Sequence, residues 1–188
     1  MQGYLAILAL GLTVAMVIAR VLYLRSNGIE AFHFGRSNKS DYLLPPLALF
    51  YVYTIVAAAL DLPLLSDRRF FNSEALGWAG VVLCFLAPLF MLLSLISFGS
   101  SFRVGIDEET PDQLITTGIF AYSRNPIYVG FVLMLLGQFL VFPNWVPLIY
   151  LLAGLWLIHR QVLREEAFLS AHYGREYEVY RARVRRYL

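Results

Sequence analysis

The chain has 188 residues, enough for a single domain, and 59% of them are apolar, more than a soluble globular chain of ordinary composition carries. Its 15 basic and 13 acidic residues give a formal charge of +2, too balanced to predict a nucleic-acid partner. A single cysteine, Cys84, excludes an intramolecular disulfide and a cysteine metal cluster. This composition indicates a membrane protein.

Four stretches contain no Asp, Glu, Lys or Arg: residues 1–19, 42–60, 75–102 and 125–159. A helix rises about 1.5 Å per residue and needs about 20 residues to cross a hydrocarbon core of about 30 Å. The first three stretches therefore predict one span each. The first is predicted to be a retained anchor rather than a signal peptide, because Arg20 follows its apolar run and no basic residue precedes it.

The fourth stretch would form a single helix of about 52 Å, too long for one crossing, and Pro143 and Pro147 interrupt it. It predicts a tight hairpin of two short helices. We therefore expect an all-α, polytopic membrane protein with three spans plus this hairpin, in one membrane-embedded domain, 1–188. The five predicted segments are about 4–24, 42–62, 75–98, 127–142 and 145–159.

The basic residues predict the orientation of these segments. With three crossings and a returning hairpin, residues 20–39, the connector 99–126 and the tail 160–188 share one face. That face carries every basic residue except Arg68 and Arg69. The positive-inside rule then places the N-terminus outside and the connector and C-terminal tail in the cytoplasm. For a bacterial protein, this would be the inner membrane.

The tail is predicted to be helical. It continues the last helix to a stop at Gly174, and a second helix follows. This second helix is predicted to carry one aromatic-rich stripe, formed at helical spacing by Tyr177, Tyr180, Val184 and Tyr187. The stripe is compatible with a helix lying on anionic lipid, with one that closes a pocket against the connector, or with both.

Polar residues cluster where the connector meets the hairpin. Pro126 suits the first turn of a helix, and Arg124 and Asn125 precede it. Free N–H groups at the helix start, together with the charge of Arg124, predict a site for an anionic group. The structural alternative is that Arg124 extends to a lipid phosphate and Asn125 caps the helix.

A second polar element, Glu165-Glu166, follows the apolar part of the last helix. Neighbouring helix positions point about 100° apart, so we expect one of the two carboxylates to face a pocket. The alternative is a solvated surface balanced by Arg160 and Arg164. No metal-ligand spacing accompanies the pair, and no metal site is predicted.

Together these two elements resemble the integral-membrane methyltransferases that include the isoprenylcysteine carboxyl methyltransferases and the phospholipid N-methyltransferases. The resemblance covers residues 114–184. It places Asn125 where that family usually has His, and Asn has no charge that switches near neutral pH. The matching residues are Gly118, Tyr122, Arg124, Asn125, Pro126, Tyr128 and Gly130, then Glu165, Glu166, Leu169, Gly174, Tyr177 and Tyr180.

The resemblance implies S-adenosylmethionine as the methyl donor. The residues it assigns to donor binding are Gly118, Tyr122, Arg124, Asn125, Pro126, Tyr128, Glu165, Glu166 and Tyr177. It further implies a lipophilic acceptor that enters from the bilayer, with Glu166 in the catalytic set and Arg160 or Arg164 holding an acceptor carboxylate. Two alternatives stay open: an NADPH-dependent reductase resembling the membrane sterol reductases, and a non-enzymatic membrane scaffold.

Overall fold

The computed structural model describes residues 1–26, 44–60, 62, 69–98 and 114–188 of the chain. Within these ranges the regular structure is helical, with one isolated bridge between Ser123 and Arg185. The helices are α1 (Gln2–Ser26), α2 (Leu44–Ala59), α3 (Glu74–Phe98), a short 3₁₀ helix (Gly118–Ala121), α4 (Pro126–Val141), α5 (Trp145–Tyr173) and α6 (Arg175–Arg183). Residues 27–39 of the predicted basic segment and 99–113 of the predicted connector lie outside the described residues.

Three of the described helices are long and apolar enough to cross a membrane: Gln2–Tyr23, Glu74–Phe98 and Trp145–Tyr173. Two shorter apolar helices accompany them, Pro46–Ala59 and Pro126–Val141. The predicted all-α membrane class is thus confirmed at the level of helix content and apolarity.

The hairpin between α4 and α5 has the predicted breaker at its turn. Asn144 caps α5, with its side-chain oxygen accepting from the Val146 N–H at 2.9 Å. The carbonyl of Pro143 accepts from the Phe70 N–H at 2.7 Å, which ties the turn to the segment before α3. Because α5 has 29 residues and is about 43 Å long, its last turns extend beyond a hydrocarbon core of about 30 Å.

Helix α3 packs along α4 at backbone contact distance. A Cβ atom on Gly80 would lie 2.7 Å from the carbonyl oxygen of Gly137, and one on Gly137 would lie 2.6 Å from that of Gly80. Either side chain would separate the two helices. The buried Gln138 of α4 donates to the carbonyl of Ala6 at 3.0 Å, which joins α1 to the same pair. Helices α1 and α3 together hold α4, and therefore its first residue, in a fixed position.

The two ends of the helix bundle differ in composition. At one end the starts of α1 and α3 meet, where Gln2 donates to the carbonyl of Glu74 at 3.0 Å. At the other end the last turn of α3, the 3₁₀ helix, the start of α4 and α6 come together. Ser97 of α3 accepts there from the Ile119 N–H at 3.3 Å. The second end collects the polar residues that the sequence singled out.

The tail departs from prediction in one respect. α5 ends at Gly174 as predicted, with φ of +50°, and α6 follows. However, α6 stops at Arg183, and Val184 is extended, with φ −115° and ψ 135°. The prediction of a single helical stripe is therefore wrong for Val184 and Tyr187. The pairing of Ser123 with Arg185 explains the early stop, because a helix would withdraw those backbone groups from the connector.

Candidate active site

The site is organised around the first residue of α4. Pro126 occupies the first helical position, where a missing N–H costs nothing, and its side chain is fully buried. The side chain of Asn125, 8% exposed, donates to the carbonyl of Arg186 at 3.1 Å and to Glu166 Oε1 at 3.4 Å. Asn125 occupies the N-cap position of α4, but its side chain makes no capping hydrogen bond and its amide contacts other parts of the chain instead.

The last residues of the chain lie against this helix start. We call residues 184–188 the C-terminal segment. The Arg124 N–H donates to the carbonyl of Arg185 at 2.9 Å, beside the bridge between Ser123 and Arg185. Further along, the hydroxyl of Tyr187 lies 2.8 Å from Nδ1 of His159 on α5. The C-terminal segment thus connects the start of α4 to α5.

Glu166 is the centre of the polar cluster. It is only 7% exposed and interacts with two guanidinium groups. Arg186 contacts both carboxylate oxygens: Nε lies 3.2 Å from Oε1 and 3.1 Å from Oε2, and Nη2 lies 2.9 Å from Oε2. Arg124 Nη2 pairs with Oε1 at 3.2 Å. The alternative of a solvated carboxylate balanced by Arg160 and Arg164 is therefore wrong for Glu166.

Arg124 is buried, with 8% of its side chain exposed. Its Nη2 pairs with Glu166, whereas its Nε and Nη1 have no hydrogen-bond partner among the described residues. The alternative in which Arg124 extends to a lipid phosphate is wrong, because the guanidinium points into the protein. Two unpartnered donors on a buried cation carry a high desolvation cost and suit a bound anion.

Glu165 has its own set of partners. Its Oε1 accepts from the hydroxyl of Tyr128 on α4 and from Nε2 of Gln161 at 3.0 Å. The two neighbouring carboxylates therefore diverge as helical geometry requires, and both contact the protein. Since Tyr128 lies two residues into α4 and Asn125 just before it, the glutamate pair holds the start of α4 at two points.

Two tyrosines of α6 complete the cluster. Tyr180 is buried and its hydroxyl donates to the carbonyl of Phe120 at 2.7 Å, so α6 is fixed to the 3₁₀ helix. Tyr177 is 1% exposed, and its hydroxyl has no partner among the described residues. Burial, and secondarily the negative charge of Glu166, raise the pKa of Tyr177 above its usual range. Tyr177 is therefore a neutral donor beside the arginine–glutamate cluster.

Gly118 contributes through its backbone. It has φ of +63°, and a Cβ atom there would collide with the hydroxyl of Ser97. That same hydroxyl accepts from the next residue, Ile119. A glycine is required because the chain turns sharply against α3 before it enters the 3₁₀ helix.

Three residues predicted for the site lie apart from the cluster. Tyr122 is 76% exposed. Arg160 and Arg164 are both exposed on α5, and the guanidinium of Arg160 lies 5.5 Å from the centre of the Trp156 ring. The structure therefore separates a buried or part-buried set (Asn125, Arg124, Glu165, Glu166, Tyr128, Tyr177) from an exposed set (Tyr122, Arg160, Arg164).

Sequence reasoning missed Arg186, Gln161 and Ser123. Arg186 appeared only as one of several basic residues near the chain end, and its spacing from Glu166 follows no short-range pattern. Gln161 lies one helical turn before Glu165, so the i, i+4 spacing was a usable signal. Ser123 is completely buried and accepts from the Asn125 N–H at 3.2 Å.

A cavity of about 400 Å³ lies at the opposite end of the bundle. It is lined by the start of α1, the end of α2, the start of α3 and the end of α4, including Gln2, Arg69, Glu74 and Trp78. Its position separates it from the arginine–glutamate cluster.

The model of the phospholipid methyltransferase family matches residues 76–176, more than half of the chain. The match begins within α3, so it reaches further toward the N-terminus than the motif resemblance did. No solved structure matches the chain significantly.

Curated relatives carry isoprenylcysteine methyltransferase names. A protein-S-isoprenylcysteine O-methyltransferase of Schizosaccharomyces pombe is 33% identical over 61% of this chain, which spans only 48% of that relative. A probable enzyme of the same name from Oryza sativa subsp. indica is 29% identical over 82% of both chains. One from Tribolium castaneum is 26% identical over 70% of this chain and 50% of its own.

These matches favour the methyltransferase prediction over the reductase and scaffold alternatives. They also cover the segment that carries both Arg124 and the Glu165-Glu166 pair. The chain therefore belongs to the phospholipid methyltransferase family, which confirms the predicted class of membrane methyltransferase.

Proposed function

We propose that the protein transfers a methyl group from S-adenosylmethionine to a lipophilic acceptor, either an isoprenylcysteine-like carboxylate or a lipid amine. The observation that carries this proposal is the buried Arg124 at the start of α4. Its two donors lack partners among the described residues, and it lies inside the matched family segment. The names of the curated relatives favour the isoprenylcysteine carboxylate as the acceptor.

The residues present fit the amino-acid end of the donor. The unpartnered Nε and Nη1 of Arg124 lie on different edges of the guanidinium, and each can donate one charge-assisted hydrogen bond to a carboxylate oxygen. The hydroxyl of Tyr177 supplies a further neutral donor. Gly118, Pro126 and Tyr128 shape the backbone and wall of this region, and Glu165 holds Tyr128 in place.

When bound, S-adenosylmethionine supplies a methyl group already activated on a sulfonium. The protein then has to bring donor and acceptor together and exclude water. Arg124 binds the carboxylate of the donor, and Glu166 positions Arg124 and Asn125 beside it. In this proposal Arg160 and Arg164, exposed on α5, hold an acceptor carboxylate at the membrane surface. Tyr122 is exposed just after the 3₁₀ helix. A dedicated nucleophile is unnecessary in this scheme.

We also propose that α1 to α5, three long and two shorter apolar helices, all cross the bilayer as one domain, 1–188. Support for this proposal comes from the starts of α1 and α3, which meet at the same end of the bundle. The two helices therefore run in the same direction, and the chain has to cross back between them, through α2. The N-terminus is then outside, and the connector 99–126 and tail 160–188 are cytoplasmic, as in a multi-pass membrane protein.

The proposed activity is tested with detergent-purified protein, labelled S-adenosylmethionine and two acceptors, an N-acetylated isoprenylcysteine and phosphatidylethanolamine. A methyl ester releases its label as methanol in alkali, whereas an N-methyl group does not, so alkali treatment identifies the acceptor atom. We expect alkali-labile product from the isoprenylcysteine. In Arg160→Gln and Arg164→Gln variants, KM for this acceptor should rise and affinity for S-adenosylhomocysteine should stay unchanged. Binding of NADPH without binding of S-adenosylhomocysteine would refute the proposed donor.

A further inference from the structure

Two arginines share one carboxylate in the cluster, and they share it unequally. Arg186 contacts both oxygens of Glu166 through three atom pairs, the shortest 2.9 Å, while Arg124 contacts one oxygen at 3.2 Å. Glu166 therefore has Arg186 as its principal partner. The three side chains together carry a formal charge of +1.

The two arginines also differ in burial. The Arg124 side chain is 8% exposed and that of Arg186 is 32% exposed, so Arg186 lies at the rim and Arg124 inside. If Arg186 were absent, Arg124 and Glu166 would form a neutral buried pair. A carboxylate ligand would then meet a cation whose charge is already balanced by its neighbour. With Arg186 present, the positive charge is not cancelled, and the Nε and Nη1 donors of Arg124 remain available to a ligand.

We propose that Arg186 is a positioning residue that engages the charge of Glu166 and so leaves Arg124 available for the carboxylate of the methyl donor. This inference rests on the proposed function and deepens it. Arg186 itself does not touch the ligand in this scheme. Its effect is to set the charge of the cluster at +1 and to fix the orientation of Glu166.

The side chain of Arg186 can be changed without removing the contacts of its backbone. Its carbonyl accepts from Asn125, and the neighbouring Arg185 carbonyl accepts from the Arg124 N–H. Both bonds use main-chain oxygens. We therefore expect Arg186→Gln to keep the C-terminal segment in place.

The experiment compares two ligands that differ in one end. S-adenosylhomocysteine has the amino-acid carboxylate, and 5′-methylthioadenosine has the same nucleoside thioether without it. Their affinities are measured by calorimetry for the full-length protein, and the ratio of the two affinities reports recognition of the amino-acid end. Thermal unfolding of the unliganded protein is measured in parallel.

The net charge of the cluster predicts how the affinity ratio ranks among the variants. Arg186→Gln makes the cluster neutral and should reduce the affinity ratio at least tenfold, with the 5′-methylthioadenosine affinity changed less than twofold. Adding Glu166→Gln restores the charge to +1 and should recover most of the ratio. Arg186→Lys and Glu166→Gln alone should each keep the ratio near or above the wild-type value. Arg183→Gln, an exposed arginine at the end of α6, is the matched control.

A purely structural role for Arg186 predicts a different result. Arg186→Gln would then weaken both ligands equally, and the double variant would be worse than either single one; either outcome overturns the inference. If Arg186→Gln does not fold, the Arg186→Lys and Glu166→Gln proteins decide, because loss of the ratio in either contradicts the charge argument. Failure of the proposed function is distinct, since wild-type protein would bind neither ligand.

Discussion

The side-chain amide of Asn125 donates to the backbone carbonyl of Arg186 at 3.1 Å, across 61 residues of sequence. This bond joins the start of α4 to the C-terminal segment. The amide also approaches Glu166 Oε1 at 3.4 Å, so one uncharged side chain contacts two parts of the cluster. Asparagine at this position, where the resembling enzymes usually have histidine, keeps a donor here without adding a titrating charge.

Replacing Asn125 should loosen the C-terminal segment. Asn125→Ala removes a buried hydrogen bond of about 1 kcal/mol, equivalent to roughly fivefold faster local opening. Hydrogen exchange of the Arg124 N–H, which is bonded to the Arg185 carbonyl, should accelerate accordingly. Asn144→Ala is the control, because it removes the cap of α5 at the opposite end and should leave this exchange rate unchanged. Equal protection in wild type and Asn125→Ala would show that the bond does not hold the segment.

Arg124→Lys should express normally and bind S-adenosylhomocysteine at least several-fold more weakly. A lysine can replace the single contact with Glu166 but lacks the fixed Nε and Nη1 donors that a guanidinium holds in place for a ligand. Binding is measured by calorimetry in detergent, with the exposed Arg175→Lys as the control. Unchanged affinity in a well-expressed Arg124→Lys protein would remove Arg124 from the ligand site.

Tyr128 and Glu165 should be energetically coupled. Tyr128→Phe or Glu165→Ala should each lower the free energy of unfolding by about 1–3 kcal/mol, because the first removes one of the two donors to Glu165 Oε1 and the second removes the acceptor of the part-buried Tyr128 hydroxyl. The double variant should cost little more than either single one, giving a coupling energy of about 1 kcal/mol or more. Unfolding in mixed detergent measures these values. Additive losses would mean that the hydrogen bond contributes nothing, and Tyr122→Phe, exposed in the wild type, should be silent.

Gly118 and Gly174 provide a matched pair, because both have positive φ. A Cβ at Gly174 meets nothing within 4 Å, whereas one at Gly118 collides with Ser97. Gly174→Ala should therefore cost about 1–2 kcal/mol of stability from backbone strain alone. Gly118→Ala should cost more, and Ser97→Ala should recover part of the difference. Equal losses at the two glycines would refute the steric part of this account.

The topology is tested with reporters of cytoplasmic or external location. A reporter fused after Leu188 should be cytoplasmic, and one inserted between Leu64 and Ser73 should be external, since the basic residues concentrate on the side of the tail. Reversing the bias, by placing additional lysines beside Arg69, should reduce the external signal. A cytoplasmic signal at the second site in the wild type would contradict three crossings before the hairpin.

The sequence by itself determined the helical membrane class, the break between α4 and α5, and the end of α5 at Gly174. These features follow from local physics: runs without charge, prolines that cannot continue a helix, and a glycine that tolerates positive φ. The motif resemblance likewise selected Arg124, Asn125 and the glutamate pair. None of these conclusions requires knowing which distant residues meet.

Only the tertiary structure decided how those residues are paired. Both glutamates contact the start of α4, through different partners, and Arg186 takes the larger share of Glu166. The early end of α6 at Arg183 has the same origin, because the C-terminal segment bonds to Arg124 and Asn125 instead of continuing the helix. Contacts across 20 to 61 residues depend on how the chain folds back on itself, and no local spacing encodes them.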